Sequence, residues 1–254
     1  MLALKQFPRA AKYDPDWVMT NQMGPNVLWL TEWVCELMDL KPGMRVLDMG
    51  CGKALSSIFL AREFDVEVWA NDLWIKASEN WERIRAAGLE KRVFPIHAEA
   101  HQLPFADGFF DAIVSLDSYH YYGTDDIYLR YFINFLKPGG RIGMAVPGLV
   151  KDFEDGVPEH LTTPQSNGAV FWAEDCWTFH TVDWWRNLWG RTTLVEVEHA
   201  DLLPEGWRIW RDWEKVIRLT GAGLFPPEDE ALDADAGRYM GFVRMIARRK
   251  LEEQ

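Results

Sequence analysis

The densest group of reactive side chains in the chain is Asp117-Ser118-Tyr119-His120-Tyr121-Tyr122-Gly123, which sets an acid, a histidine and three tyrosines side by side. An imidazole titrates near neutrality, so His120 is a candidate general base. Tyr119, Tyr121 and Tyr122 can wall a pocket with their rings and bond a substrate through their hydroxyls. A second group is Asp48-Met49-Gly50-Cys51-Gly52. Gly50 and Gly52 let a ligand approach bare backbone, and an acid facing such a turn suits a cationic group better than a diphosphate. The third is Asp72, about 20 residues beyond the glycines, where a carboxylate can accept hydrogen bonds from the two vicinal hydroxyls of a ribose. The same position also suits an N-cap for the next helix.

These groups need a scaffold that brings strand ends together, and the chain reads as one. Val46 and Leu47 give an apolar strand over 45–49, followed by the glycine turn and a helix over 55–64. Further strands are expected at 66–70, 92–96, 112–116 and 141–146. Helices are expected between them at 74–87, stopped by Gly88, and at 125–135, with Leu136-Lys137-Pro138-Gly139-Gly140 as a turn. Apolar strands alternating with helices call for a parallel sheet covered on both faces. Each reactive group then falls at the carboxyl end of a strand, where open parallel sheets collect ligands.

Upstream, residues 1–24 show no sustained period, and Gly24-Pro25 opens a helical pattern that runs to Met38. Downstream, residues 149–181 are rich in prolines, glycines and polar residues, and read as a lid. Thr181 caps a short helix over 182–189, ended by Gly190. A strand over 192–199, a helix over 205–219 and a last strand over 240–247 follow. The acidic run from Glu228 to Asp235 reads as a solvated helix or loop. Trp172, Trp177, Trp184, Trp185, Trp189, Trp207, Trp210 and Trp213 are most of the chain's 14 tryptophans. Core packing accounts for most such rings, and several are candidates for an aromatic pocket open to planar rings or a cationic amine.

Taken in order, four motifs resemble the class I S-adenosylmethionine (SAM) dependent methyltransferases of small molecules. They are Asp48-x-Gly50-Cys51-Gly52, Asp72, the stretch Glu99…Leu103-Pro104-Phe105…Phe110-Asp111, and Leu136-Lys-Pro-Gly-Gly140. Ala54 stands where that family commonly has a third glycine. The resemblance covers residues 43–147 and implies a Rossmann-like sheet of seven strands, mostly parallel with the last antiparallel, and helices on both faces. It implies one methyltransferase domain over 1–254: an N-terminal cover and helix (1–42), a SAM-binding core (43–147), a substrate-covering insertion (148–190) and the rest of the sheet (191–254). By the same resemblance Asp48, Gly50 and Gly52 hold the methionine end of SAM and Asp72 the ribose, with Cys51 and Leu73 also among the cofactor-binding residues. Glu99 and Ala100 hold the adenine, Asp117 lies on the cofactor side, and His120, Tyr119 and Tyr121 meet the methyl acceptor.

The formal charge of −12 argues against a face devoted to nucleic-acid phosphates. Cys35, Cys51 and Cys176 are odd in number and lack metal-site spacing, so free thiols in a reducing, cytoplasmic setting are expected. His97 and His101 have no partners spaced for a metal, and none is expected. No basic amphipathic helix or long apolar run points to stable membrane association. Two readings keep the fold with other roles: a SAM-binding protein without catalysis, and a lipid-modifying relative resembling cyclopropane synthases. A nicotinamide dehydrogenase is disfavoured, because Leu55 occupies the place of its last fingerprint glycine. The acceptor and the oligomeric state are left open by the sequence.

Overall fold

The computed structural model describes residues 3–251. Successive residues of a strand face opposite sides of a sheet, and in β1 (Arg45–Met49) both sides are apolar. Val46 joins one hydrophobic cluster and Leu47 a second, so β1 needs cover on both faces and sits inside the sheet, between β2 and β4. β2 (Glu67–Asp72), β3 (Val93–His97), β4 (Phe110–Leu116) and β5 (Leu136–Leu149) form the parallel part. β7 (Met240–Arg249) runs antiparallel between β5 and β6 (Val195–Leu202), giving the order β3-β2-β1-β4-β5-β7-β6.

Helices cover both faces, as the alternation requires. Buried residues of α2 (Val27–Met38), α3 (Leu55–Phe64), α8 (Gly206–Thr220) and α9 (Asp229–Asp235) join the cluster of Val46, as does Ile84 of α4 (Ala77–Ala86). Phe132 of α5 (Tyr128–Phe132) and Trp185 and Trp189 of α7 (Val182–Trp189) join that of Leu47.

Several local expectations are corrected. The unpatterned N-terminal stretch contains α1 (Pro15–Asn21), started by the Asp14 carboxylate, which accepts from the backbone N–H groups of Asp16 and Trp17, and by Pro15 at its first position. Pro25 precedes α2 instead of opening it, and Asn26 is the cap. Leu136 to Gly140 belong to β5 as an irregular start: Leu136 pairs with Phe110 and the register resumes at Arg141 with Ala112. The acidic run is a helix, one of the two forms expected, but only part of it is solvated: Asp233 is exposed, while others turn inward. Asp229 and Asp235 are buried, Asp229 pairing with Arg218 and Asp235 accepting from the N–H groups of Tyr239 and Met240, while Ala231 and Leu232 enter the core. Residues 150–181 hold only α6 (Glu159–Thr162) and a 3-10 turn (Glu174–Thr178).

No helix among the described residues is long and apolar enough to cross a membrane. Cys35, Cys51 and Cys176 are free and buried.

Candidate active site

A cavity of about 310 Å³ opens at the carboxyl ends of β1, β2 and β4. Its floor is the turn after β1. The N–H groups of Gly50 and Cys51 donate to the carbonyl of Asn71 at 2.9 and 3.0 Å, which ties the turn to the end of β2. Gly50 has a φ of +77°, and a methyl built on it would fall 1.8 Å from Ser118 Oγ, so this position excludes any side chain on two grounds. Ala54, at the start of α3, holds a left-handed φ of +63°. A non-glycine residue in that conformation costs about 1–2 kcal/mol, which is the penalty for lacking the usual glycine.

Asp72 ends β2 at the cavity wall. Its Oδ2 accepts from Gly52 N at 2.8 Å and its Oδ1 from Trp74 N and Ile75 N at 2.7 and 2.8 Å. A carboxylate offers about four acceptor positions. Three are thus taken by the backbone, and the group can accept from one ligand hydroxyl rather than from two. Asp72 is not the cap of the next helix, since α4 begins at Ala77 with Lys76 before it; its carboxylate instead ties the turn between β2 and α4 and lines the cavity.

Leu73, Glu99 and Ala100 line the adjoining wall. Both Glu99 oxygens are engaged by His101, at 2.8 Å from its backbone N and from its Nδ1, and the hydrogen bond to that side chain holds the Glu99 carboxyl below its ordinary range. Cys51, Gly52 and Asp117 line the cavity as well. Burial pushes the Cys51 thiol well above its usual value, which keeps it unreactive.

Three of the sequence-predicted residues lie away from the cavity. Asp48 is fully buried behind the turn, where Ser56 Oγ and Ser57 Oγ each donate to its Oδ2 at 2.6 Å and its Oδ1 has no partner. Burial raises its pKa to about 6, and what it anchors is the N-terminus of α3. Tyr119 and His120 are displaced by the geometry of their loop. The chain after β4 winds into a 3-10 turn (Tyr119–Tyr121), so three consecutive side chains leave in three directions. Tyr119 enters the core, with its ring centroid 5.8 Å from Trp185 and 5.6 Å from Trp189. His120 is 1% exposed, lies against Phe179 and Tyr121, and is held to a pKa of about 3 by burial. A ring so reluctant to take a proton is a poor base. Only Tyr121 of the three proposed acceptor-facing residues lines the cavity, joined by Ser118 and Tyr122. Tyr122 Oη lies 2.8 Å from Ser115 Oγ and 3.3 Å from the carbonyl of Met49.

Other walls went unseen in the sequence. Asn21, Met23, Gly24, Pro25 and Val27 close one side, and Lys53, Trp74 and Phe225 stand elsewhere around it. The N-terminal wall is held by Trp213 Nε1 donating to the carbonyl of Gly24 at 2.8 Å and Gln22 Nε2 donating to that of Ala222 at 2.9 Å. Neither the stretch 148–190 nor any of the eight C-terminal tryptophans lines the cavity. That stretch instead backs the loop after β4, and Trp185, Trp189, Trp210 and Trp213 are core.

Residues 46–140 match the family model described as a methyltransferase domain. The match spans the glycine turn after β1 and most of the parallel part of the sheet, and the seven-stranded order is that of a Rossmann-like methyltransferase fold. Methyltransferase GfsG of Streptomyces halstedii is 35% identical over 138 residues, a match that spans 53% of this chain and 50% of that relative. Among solved structures, phosphoethanolamine N-methyltransferase 2 of Haemonchus contortus, in complex with phosphomonomethylethanolamine and S-adenosylhomocysteine, superposes with a TM-score of 0.69 at 16% identity, over 97% of this chain and 58% of that one. The [4+2]-cyclase SpnF superposes at 0.60 with 20% identity, over 87% of this chain and 80% of that one. At such identities the likeness is one of fold, and the cyclase shows that fold alone does not name a reaction.

Proposed function

We propose that this chain is a SAM-dependent methyltransferase of a small molecule, working in a reducing, cytoplasmic setting. The observation that carries the reading is the single cavity that gathers the bare turn Gly50–Gly52, Asp72 and the Glu99–Ala100 wall in the sequence a nucleoside-bearing cofactor needs. The turn offers backbone to the methionine end, Asp72 accepts one ribose hydroxyl, and Ala100 lies against the adenine. The cofactor brings a methyl group on a positively charged sulfur. The protein's own work is to hold a nucleophile in line with that methyl and to keep water out. Tyr121, Trp74 and Phe225 supply apolar rings at the mouth for the second task. No step calls on His120.

Calorimetric titration with SAM and with S-adenosylhomocysteine tests the reading. Binding in the micromolar range, weakened at least about tenfold in Asp72→Asn, is the expected result, since one ligand hydroxyl loses a charged acceptor. A folded protein that binds neither compound refutes it. Binding without methyl transfer to any acceptor of a broad panel would favour the cofactor-binding, non-catalytic reading.

A further inference from the structure

One carboxylate of the cavity has no partner. Asp117, at the end of β4, lines the cavity and receives no hydrogen bond from any described side chain or backbone group. Its Oδ2 occupies the space a side chain on Gly24 would need, since a Cβ there would come within 2.5 Å of it. The chain also turns left-handed at this residue, with a φ of +52°, a conformation that an Asp adopts at a cost. A glycine would make the turn more easily but would bring no carboxylate.

The surroundings add charge of the same sign. Glu214 of α8, 6% exposed, and Asp175 in the 3-10 turn Glu174–Thr178 press on Asp117; these three press on Glu228 just before α9, Asp229 presses on Glu214, and Tyr121 of the same loop feels Asp117, Asp175 and Glu228. Among the described residues, no Lys or Arg is ion-paired with Asp117, Glu214, Asp175 or Glu228. Burial, with Glu214 and Asp175 adding to it, lifts the Asp117 carboxyl to about 8, and burial lifts Glu214 to about 7. Lys53, the cation of the lining, reaches the backbone carbonyl of Thr20. An enclosed acid without a counter-ion is costly when charged, and a cation that enters the cavity removes the cost. The mouth adds to the attraction. The rings of Trp74 and Tyr121 lie 6.2 Å apart, both largely exposed, with Phe225 and Leu73 on the same rim.

Given methyl transfer at this cavity, we propose that the methyl acceptor is an amine carried on an apolar body, entering as its ammonium, and that Asp117 is the residue that selects it. An ammonium nitrogen has no lone pair, so it would first return one proton to the Asp117 carboxylate; the nitrogen pair thus freed would form the bond to the methyl carbon as the carbon–sulfur bond breaks, and the positive charge would pass from sulfur to the methylated ammonium. The rim takes the apolar part and the carboxylate takes the charge. Alcohols offer a hydrogen bond but no counter-charge that would let the acid ionise, and carboxylates and phosphates would add a further negative charge to acids already crowded by charge of their own sign. The cofactor carries two cations of its own, an ammonium and the sulfonium; titration of Asp117→Asn with S-adenosylhomocysteine, which has only the first, and with SAM, which has both, separates their claims on this carboxylate from that of the acceptor.

The full chain is first titrated with S-adenosylhomocysteine, which contains the cofactor's ammonium. The loaded protein is then titrated at neutral pH with 2-phenylethylamine and with 2-phenylethanol. The amine is expected to bind at least about tenfold more tightly than the alcohol, as for a charge-assisted against a neutral hydrogen bond. Its binding should release a proton as the Asp117 carboxyl ionises, read from the dependence of the heat on the buffer. In Asp117→Asn, a substitution of equal size that tolerates the left-handed turn, the preference is expected to shrink to within about threefold. The proton release should vanish and the affinities for S-adenosylhomocysteine and for SAM should hold. Gly24→Ala, which pushes the carboxylate aside, should weaken the preference in the same direction. Equal binding of alcohol and amine, no binding of the amine, or an undiminished preference in Asp117→Asn overturns the proposal. So does a loss of S-adenosylhomocysteine or SAM affinity in Asp117→Asn with the amine preference intact, which would give the carboxylate to the cofactor. A wild-type protein that fails the first titration removes the methyl-transfer reading itself, and this proposal with it.

Discussion

Gly50 offers the sharpest test of how the cavity floor is built. A methyl group at this position would lie 1.8 Å from Ser118 Oγ and 2.4 Å from Ser118 Cβ, with Tyr122 Oη next at 3.8 Å. Two costs follow in Gly50→Ala. The left-handed backbone at φ +77° penalises any Cβ by about 1–2 kcal/mol. Overpacking against Ser118 adds about 1–3 kcal/mol, for a total of about 2–5 kcal/mol. Ser118→Gly removes both clashing atoms and leaves only the backbone cost. In that background Gly50→Ala should therefore cost about 1–2 kcal/mol, so a double-mutant cycle should return a coupling of about 1–3 kcal/mol. Urea unfolding of the four proteins measures it, with the midpoint moving at constant slope. Titration with S-adenosylhomocysteine should show the single variant Gly50→Ala impaired, because the displaced Ser118 and Tyr122 are cavity walls. The same cost of Gly50→Ala in both backgrounds would refute the packing geometry, and no cost in either would refute the backbone conformation as well.

His120 is held near 3 in the fold against about 6.5 in an unfolded chain. The unfolded state thus binds the extra proton, and up to about 3–5 kcal/mol of stability is lost as pH falls through that window. His120→Phe should flatten the loss in acid unfolding curves and should leave the pH profile of any methyl transfer without a changed limb near neutrality. Asp48 has the opposite sign: its folded value is raised to about 6 from about 3.9. Its stabilising contribution is complete below about pH 4 and falls by about 2–3 kcal/mol as pH rises through 6, a slope that Asp48→Asn should remove in chemical denaturation. Asp235→Ala should lower stability by about 2–4 kcal/mol, since Oδ2 accepts from Tyr239 N and Met240 N at 3.1 and 3.0 Å and Oδ1 faces His160 Nε2 at 2.9 Å. Asp233→Ala, which breaks only partly exposed ion pairs with Arg211 and Lys215, should cost less than about 1 kcal/mol, and thermal unfolding of the two variants side by side measures the difference.

The sheet was legible because a strand buried on both faces must be apolar at consecutive positions, and Val46-Leu47 or Ile113-Val114 admit little else. The glycine turn and Asp72 were legible for a local reason: φ sign and strand end are properties of a few neighbouring residues. Side-chain direction in the loop after β4 was not, because the 3-10 turn rotates each residue by about 120°, and sequence spacing does not reveal which of Tyr119, His120 and Tyr121 inherits the cavity. Nor were Met23, Gly24 and Phe225, which reach the cavity through tertiary hydrogen bonds such as Gln22 to Ala222. The acidic run misled because charge density suggests water, whereas Asp229 and Asp235 carry ring-fenced structural bonds: an ion pair in one case, a doubly accepting cap in the other. α1 did leave a signal, Asp14-Pro15, which periodicity alone could not amplify over so short a helix.

The placement of β7 between β5 and β6 sets an order of assembly. β5 from Arg141 to Leu149 pairs residue by residue with Arg248 to Met240, and β6 touches the sheet only through β7. As the chain emerges from the ribosome, β6 therefore has no place to dock, and the edge of β5 stays open, until residues 240–249 have been made. An unpaired strand edge invites pairing with other chains, so during synthesis the interval between β5 and β7 is when this protein is most exposed to aggregation. A chain that stops short of Met240 would leave both strands without their partner and retain that hazard permanently.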